Sequence, residues 1–181
     1  LHLQDQGPGF RARAIASMSA RLLLATPLLD LPADRWLGTD TLPALDAFAR
    51  GYTAFQQGRL DEARREFRTA VEIDPGYAQA HLWLAQVRAW RSPAERTAWR
   101  DHALRAATAS NLIARDRALV DALVAINDGR FPNACSKYRE LTQADSADFA
   151  GWYGLGECQY LDSLVVPSPR SPSGWAFRSS N

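Results

Sequence analysis

One ten-residue pattern occurs twice in this chain. The first copy, GRLDEARREF, begins at Gly58, and the second, GRFPNACSKY, begins at Gly129. In both copies an arginine and an apolar residue follow the glycine, an alanine lies five residues after it and an aromatic residue nine after it. The copies are 71 residues apart, close to two periods of about 34 residues. Such periodicity predicts a fold in which similar units stack and each contacts mainly its neighbours.

The residues around the first copy predict a pair of helices. Gly58 permits the left-handed turn that ends the first helix, and Asp74-Pro75-Gly76 ends the second, because proline disfavours helix in the residue before it. Gly51 and Ala63 are small, as required where two antiparallel helices cross closely. One apolar stripe at helical spacing is formed by Leu45, Phe48, Tyr52 and Phe55.

Residues 44–77 resemble one tetratricopeptide repeat. The small, aromatic and proline positions of that repeat are occupied by Gly51, Gly58, Ala63, Phe67, Ala70 and Pro75. Two positions depart from the pattern, since Ala47 stands where an aromatic residue is usual and Arg50 where leucine is usual. The resemblance implies an all-α fold, a right-handed α-solenoid of tetratricopeptide helix hairpins with about three and a half repeats.

The same register predicts the organisation of the rest of the chain. Residues 1–40 are expected to form an N-terminal linker, a helix over Phe10–Leu24 and a loop carrying Trp36. An array over 41–164 follows, with a capping box at Ser92 starting one helix. Its expected repeats are 44–77, 78–110, 111–148 and a partial one at 149–164. Residues 165–181 are rich in proline and serine, which predicts an irregular tail and a truncated array.

The segment GWYGLGECQY, residues 151–160, could be read as a phosphate-binding loop because it holds three glycines in six residues. Such a loop follows a buried strand and opens a helix, whereas a predicted helix and a Ser-Ala-Asp cap precede this segment. Trp152, Leu155 and Gly156 instead match the opening of a further repeat. We therefore expect the glycines to be packing residues inside a helix.

No catalytic residue, metal site or cofactor is expected. Cys135 and Cys158 have no histidine paired with them in the pattern, so they are interpreted as small core residues rather than nucleophiles. A bond between them is possible, but two separate buried thiols are the preferred interpretation. A zinc site would also need His81 and His102, and no CxxC or HxxxH spacing supports one.

A protein or peptide partner is expected on the concave face, which the first helix of each repeat lines. The residues predicted there are Leu45, Phe48, Tyr52, Phe55, Gln79, Leu82, Gln86, Trp90, Tyr153 and Glu157. The Lys/Asn/Arg set that binds a C-terminal carboxylate in chaperone-binding tetratricopeptide domains is not expected, because Phe48, Ala49 and Tyr52 occupy the corresponding positions.

A nucleic-acid surface is an alternative, because basic and aromatic residues alternate at Trp90, Arg91, Arg96, Trp99, Arg100 and Arg105. The net charge of +1 argues against it, since no overall field attracts a polyanion. Tryptophans packed between helix hairpins are the competing interpretation. The composition, 46% hydrophobic and 23% charged, is typical of a soluble globular domain.

Residues 39–85 and 115–158 also resemble the C-terminal tetratricopeptide regions of certain large bacterial transmembrane serine/threonine protein kinases. That resemblance implies the sensing end of a membrane-anchored signalling protein, outside the cytoplasm, with the kinase signatures themselves missing here. Two functions are therefore expected as alternatives. One is a non-catalytic interaction or sensing module of a larger bacterial regulatory protein. The other is the C-terminal part of such a kinase, or of another signalling enzyme, whose catalytic domain is missing here. The apolar run Leu22–Leu31 is too short and too polar to span a bilayer.

Overall fold

A computed structural model describes residues 38–91 and 96–180. The expected helix over Phe10–Leu24, the loop at Trp36 and the helix start at Ser92 lie outside the described residues. The described part contains seven α-helices: α1 (Leu42–Gln56), α2 (Leu60–Ile73), α3 (Ala78–Arg91), α4 (Arg96–Thr108), α5 (Ala114–Asn127), α6 (Phe131–Ala144) and α7 (Phe149–Leu161). Two short strands follow, β1 (Val165–Pro167) and β2 (Trp175–Phe177), and then a 3-10 turn, Arg178–Ser180.

The helices form hairpins in two compact units, one reaching Ile113 and one beginning at Ala114. In the first unit α1 packs on α2, α2 on α3, and α3 on α4. The first crossing is tight, because a Cβ built on Gly51 would lie 2.8 Å from the ring of Phe67 on α2. Ala63 is fully buried beside it. The predicted all-α solenoid of helix hairpins is confirmed.

The turn that ends the first helix of a hairpin has the same conformation in both units. Gly58 has φ +72° and Gly129 has φ +71°, in the left-handed region that glycine adopts without strain. The amide that follows each glycine donates to a carbonyl five residues earlier, Arg59 to Ala54 at 2.9 Å and Arg130 to Ala125 at 2.8 Å. The 71-residue repeat is thus reproduced in hydrogen bonds as well as in residue types.

The turn that ends the second helix is repeated too. The side chain of Asp74 accepts a hydrogen bond from the amide of Gly76, and that of Asp145 accepts one from Ala147, both at 2.9 Å. The amides of Asp74 and Asp145 donate to carbonyls four residues back in α2 and α6. Both aspartates stop the helix by binding their own following backbone.

The second unit contains α5, α6 and α7, each packed on the next, followed by β1 and β2. The strands pair antiparallel, Val165 opposite Phe177 and Pro167 opposite Trp175. The expectation of an irregular tail is therefore wrong for these residues. The turn of this β-hairpin closes through the amide of Ser168 and the carbonyl of Gly174, 2.8 Å apart. Gly174, with φ +74°, supplies the left-handed residue.

Candidate protein-interaction surface

Helix α7 is held on α6 by close backbone packing. A Cβ on Gly151 would lie 3.1 Å from that of Leu141, and one on Gly154 would fall within the ring of Tyr138. The side chain of Asp148 caps the start of α7 by accepting a hydrogen bond from the amide of Gly151, at 3.1 Å. These contacts fix which side of α7 faces the core.

A disulfide also joins α6 to α7. Cys135 and Cys158 are both fully buried, and their Cα atoms lie 5.7 Å apart. The expectation of two separate buried thiols is therefore wrong. The pattern predicted that both residues are small and interior, but it could not show that adjacent helices bring the two sulfur atoms together.

The opposite side of α7 is exposed and largely aromatic. Residues spaced three and four apart line it, and we call them the α7 surface: Phe149, Trp152, Tyr153, Gly156, Glu157 and Tyr160. The expectation that the glycines of this segment all pack holds for Gly151 and Gly154 but is wrong for Gly156. Within the described residues, no atom other than the neighbouring backbone of α7 lies within 4 Å of a Cβ built there.

The counterpart of the α7 surface in the first unit is covered by another helix. Because α2 and α6 start and end 71 residues apart, and α3 and α7 start at that same offset, Trp152 corresponds to His81 and Gly156 to Ala85. His81 contacts His102 on α4, with their Nδ1 atoms 2.9 Å apart, and Ala85 is fully buried. On α7 the same positions face solvent.

The residues after α7 do not form the helix that would cover this surface. Arg178 donates two hydrogen bonds to Asp162, at 2.8 and 3.2 Å, and so ties the end of β2 to the end of α7. Arg139 on α6 donates to the carbonyl of Ser179. Residues 162–180 therefore form a β-hairpin and a 3-10 turn, and the 3-10 turn packs on α6 and α7.

A charge cluster fixes the start of α7 relative to α5. Arg115 on α5 donates two hydrogen bonds to Asp148, at 2.7 and 2.9 Å. Burial opposes ionisation of Asp148, but the bonds from Arg115 and the amide of Gly151 outweigh it and lower its pKa. Burial raises the pKa of the neighbouring Asp116 to about 6, with Arg115 as the opposing influence. The paired Arg115 and Asp148 set the position of α7.

Glu157 is the single charged side chain of α7. It is half-buried at the edge of the α7 surface, and burial raises its pKa to about 7. Tyr153, one turn earlier, has its pKa raised by burial and by the charge of Glu157. Burial desolvates this carboxyl group, and no described residue pairs a cation with it. A partner that supplies a cation would therefore stabilise the charged form of Glu157.

Residues 51–89 match the family model described as TPR repeat. The chain therefore contains a tetratricopeptide repeat. The match spans most of the α1–α2 hairpin and most of α3. No curated protein and no solved structure matches the chain. Tetratricopeptide repeats are typical of protein–protein interaction modules.

The tetratricopeptide array places the predicted partner-binding residues in two different environments. In the first unit Tyr52 is half-buried and the others are buried: Leu45, Phe48, Phe55, Gln79, Leu82, Gln86 and Trp90. Tyr52 itself packs edge-on against Trp83, with ring centroids 5.3 Å apart. In the second unit Tyr153 is exposed and Glu157 half-buried. Their role in binding stays a prediction.

The sequence prediction omitted Phe149, Trp152 and Tyr160 from the partner-binding set. Trp152 was assigned only to the opening of the repeat motif. The available signal was the expected lack of a second helix after α7. A helix that opens a repeat and is followed by no partner helix leaves those aromatic positions uncovered.

The other candidate sites of this tetratricopeptide protein have structural roles. His81 and His102 contact each other, but within residues 38–91 and 96–180 no group of three or more His, Cys, Asp or Glu residues could hold a metal ion. Trp90 and Trp99 are buried, as the competing interpretation of packed tryptophans predicts, so their rings are not available for stacking on bases. In the part of the chain that the structure describes, no helix has the length and apolar character needed to cross a membrane.

Proposed function

We propose that this tetratricopeptide repeat protein is a non-catalytic interaction module that binds an amphipathic helix of a protein partner on the α7 surface. One observation carries the proposal. Gly156 and Trp152 are open to solvent, whereas of their counterparts on α3 Ala85 is fully buried and His81 contacts His102 on α4. A repeat that has its first helix and an exposed aromatic face supports docking of a helix from elsewhere.

Helix α4 indicates the chemistry of such a partner. Its buried side is formed by Trp99, Ala103 and Ala106, an aromatic residue followed by alanines four and seven residues later. A small residue lets the helices approach, and an aromatic residue fills the space beside a glycine such as Gly156. Because Glu157 is the single charge of α7, a positive charge on the partner helix would strengthen binding but is not required for it.

A synthetic peptide with the sequence of residues 96–108 tests this proposal. It carries the aromatic and alanine pattern of α4 and an excess of basic residues. Titrated into the isotopically labelled chain, it should shift the amide resonances of α7, and those of α6 much less. A peptide of about 13 residues is only marginally helical alone, so weak binding is expected. A fluorescent or NMR titration measures it directly.

Two variants provide the controls. Gly156→Arg places a long side chain in the open space of the α7 surface and should abolish the shifts, and a peptide with Ala103→Asp should fail to bind the unaltered chain. Gln143→Arg, an exposed position on α6, should leave binding unchanged. Equal binding by the Gly156→Arg and unaltered chains would overturn the assignment of the α7 surface.

We further propose that the module belongs to a larger bacterial regulatory protein, with a membrane-anchored serine/threonine kinase as the alternative parent. The resemblance of residues 39–85 and 115–158 to such kinases supports this. So does the buried disulfide, because disulfides persist mainly in oxidising compartments and the resemblance implies a location outside the cytoplasm. Thiol labelling of denatured protein taken from its native cells tests the compartment. Free Cys135 and Cys158 in that sample would count against it.

A further inference from the structure

We infer that the helix docked on the α7 surface is α7 of a second copy of this chain, so that two copies form an antiparallel, two-fold symmetric dimer centred on Gly156. This inference rests on the proposed function and names the partner of that surface. A two-fold interface requires a surface that is complementary to itself. The following observations show that the α7 surface has this property.

Two aromatic residues of the α7 surface are placed symmetrically about Gly156. Trp152 lies one helical turn before it and Tyr160 one turn after it. When two such helices pack antiparallel, Trp152 of one copy lies beside Tyr160 of the partner. The glycines face each other at the centre, where the lack of a side chain permits close approach. Both helices thereby place an aromatic residue next to the open space at Gly156.

The exposed area is sufficient for a weak dimer. Phe149, Trp152, Tyr153 and Tyr160 are 61%, 53%, 38% and 87% exposed. With aromatic residues burying roughly 150–250 Å² each, they offer about 500 Å² per copy. About 1,000 Å² in total is the lower limit of a specific interface, so a dissociation constant in the micromolar range is expected. A large exposed aromatic patch of this kind marks an association site in soluble proteins.

The charges do not prevent this arrangement. The α7 helix carries Glu157 alone, at the edge of the surface. Around a two-fold axis near Gly156 the two Glu157 side chains lie on the same side and close to each other. Their mutual repulsion weakens the dimer when both are ionised, which gives the association a pH dependence that a contact elsewhere on the chain would not have.

Sedimentation equilibrium over a roughly hundredfold concentration range tests the inference, because an interface this small dissociates in the micromolar region. The mass should rise from the monomer value of 20.0 kDa towards twice that value. Gly156→Arg and Tyr160→Ser should each raise the dissociation constant at least about tenfold. Neither change should disturb the fold, since both positions are exposed. Gln143→Arg is the matched control and should associate like the unaltered chain. Glu157→Gln should tighten the dimer at pH 8 and remove most of its pH dependence.

The outcomes separate this inference from the proposed function. A chain that binds the peptide of residues 96–108 on α7 but stays monomeric overturns the dimer and keeps the proposed function. A dimer that persists unchanged in Gly156→Arg and Tyr160→Ser uses another surface and also overturns the inference. Concentration-dependent dimerisation that both variants abolish, with the peptide competing against it, confirms the inference.

Discussion

The ring of Tyr138 on α6 occupies the space where a side chain of residue 154 on α7 would begin. A Cβ built on Gly154 would overlap the Cε1, Cζ and Cδ1 atoms of that ring. Tyr138 is almost fully buried, so the ring has little freedom to move away. The absence of a side chain at Gly154 therefore lets the two helices pack closely.

Gly154→Ala should destabilise the protein by about 1–3 kcal/mol, because the added methyl group overpacks the α6–α7 contact. Gly156→Ala is a matched control two residues later in the same helix, with open space around it. It should instead stabilise the protein by about 0.5–1 kcal/mol, the usual difference between alanine and glycine in a helix. Urea unfolding of both variants measures the two changes in stability. Equal effects would show that the assignment of the buried and exposed sides of α7 is wrong.

Removing the disulfide should lower stability. Cys135 and Cys158 are 23 residues apart, and constraining a loop of that size in the unfolded chain contributes about 3 kcal/mol. The double variant Cys135→Ala with Cys158→Ala should therefore unfold at a lower urea concentration than the oxidised protein. In a reductant that has fully reduced the chain, the two proteins should differ much less. A double variant as stable as the oxidised protein would contradict the assigned bond.

The contact between His81 and His102 should make the first unit sensitive to acid. The Nε2 atom of His81 lies 3.0 Å from the carbonyl of Pro75 and donates to it, so its Nδ1 accepts from His102. That arrangement requires His81 to be neutral, whereas His102 can donate from Nδ1 in either protonation state. Burial lowers both pKa values, that of His102 to about 4, with Arg88 and Arg105 adding to the effect and Asp74 and Asp101 opposing it.

Because the folded state resists protonation of these rings, their contribution is complete above about pH 6.5, the value in the unfolded chain. It should be lost progressively as the pH falls from there towards 4. Urea unfolding between pH 8 and 4.5 measures the loss. The variant His81→Gln with His102→Gln should show a smaller decline, and an identical decline in both proteins would assign the effect to other groups.

The crossing of α1 and α2 gives a further test. Gly51→Leu and Ala63→Leu should each destabilise by about 1–3 kcal/mol through overpacking, since Gly51 faces Phe67 and Ala63 is fully buried. Arg65→Leu should change stability by no more than about 0.5 kcal/mol, because that position is exposed. Arg65 is a better control than Arg64, whose Nε is buried. Damage from Arg65→Leu comparable to that from Ala63→Leu would refute the helix register.

The sequence predicted the helix hairpins and their register well, because turn residues such as Gly58 and Asp74 act locally and recur at Gly129 and Asp145. The β-hairpin was missed, since proline- and serine-rich segments have no periodicity and its position depends on the long-range pair Arg178 and Asp162. The disulfide was not recognised because it also depends on a long-range contact, the packing of α6 against α7.

The α7 surface was predicted only in part from the sequence. Tyr153 and Glu157 were placed on it by the repeat register, and they are accessible. The same reasoning applied to Leu82 and Gln86 gave residues that are buried. A repeat register fixes which side of a helix a residue lies on, but not whether that side is covered. Trp152 and Tyr160 are exposed because residues 162–180 form a β-hairpin and a 3-10 turn in place of a covering helix. That outcome depends on how the whole second unit folds.

Site-specific photo-cross-linking at position 159 tests most directly whether the α7 surface is a protein contact. Gln159 is exposed on α7 next to Tyr160, so a benzophenone side chain substituted there lies at the edge of the α7 surface and leaves the open space at Gly156 unfilled. The same side chain at the exposed Gln143 on α6 is the control. In cells that make the protein naturally, irradiation should give protein adducts from position 159, whether with a second copy or with another chain, and few from position 143. Adducts equally abundant at both positions, or none at position 159, would contradict the account.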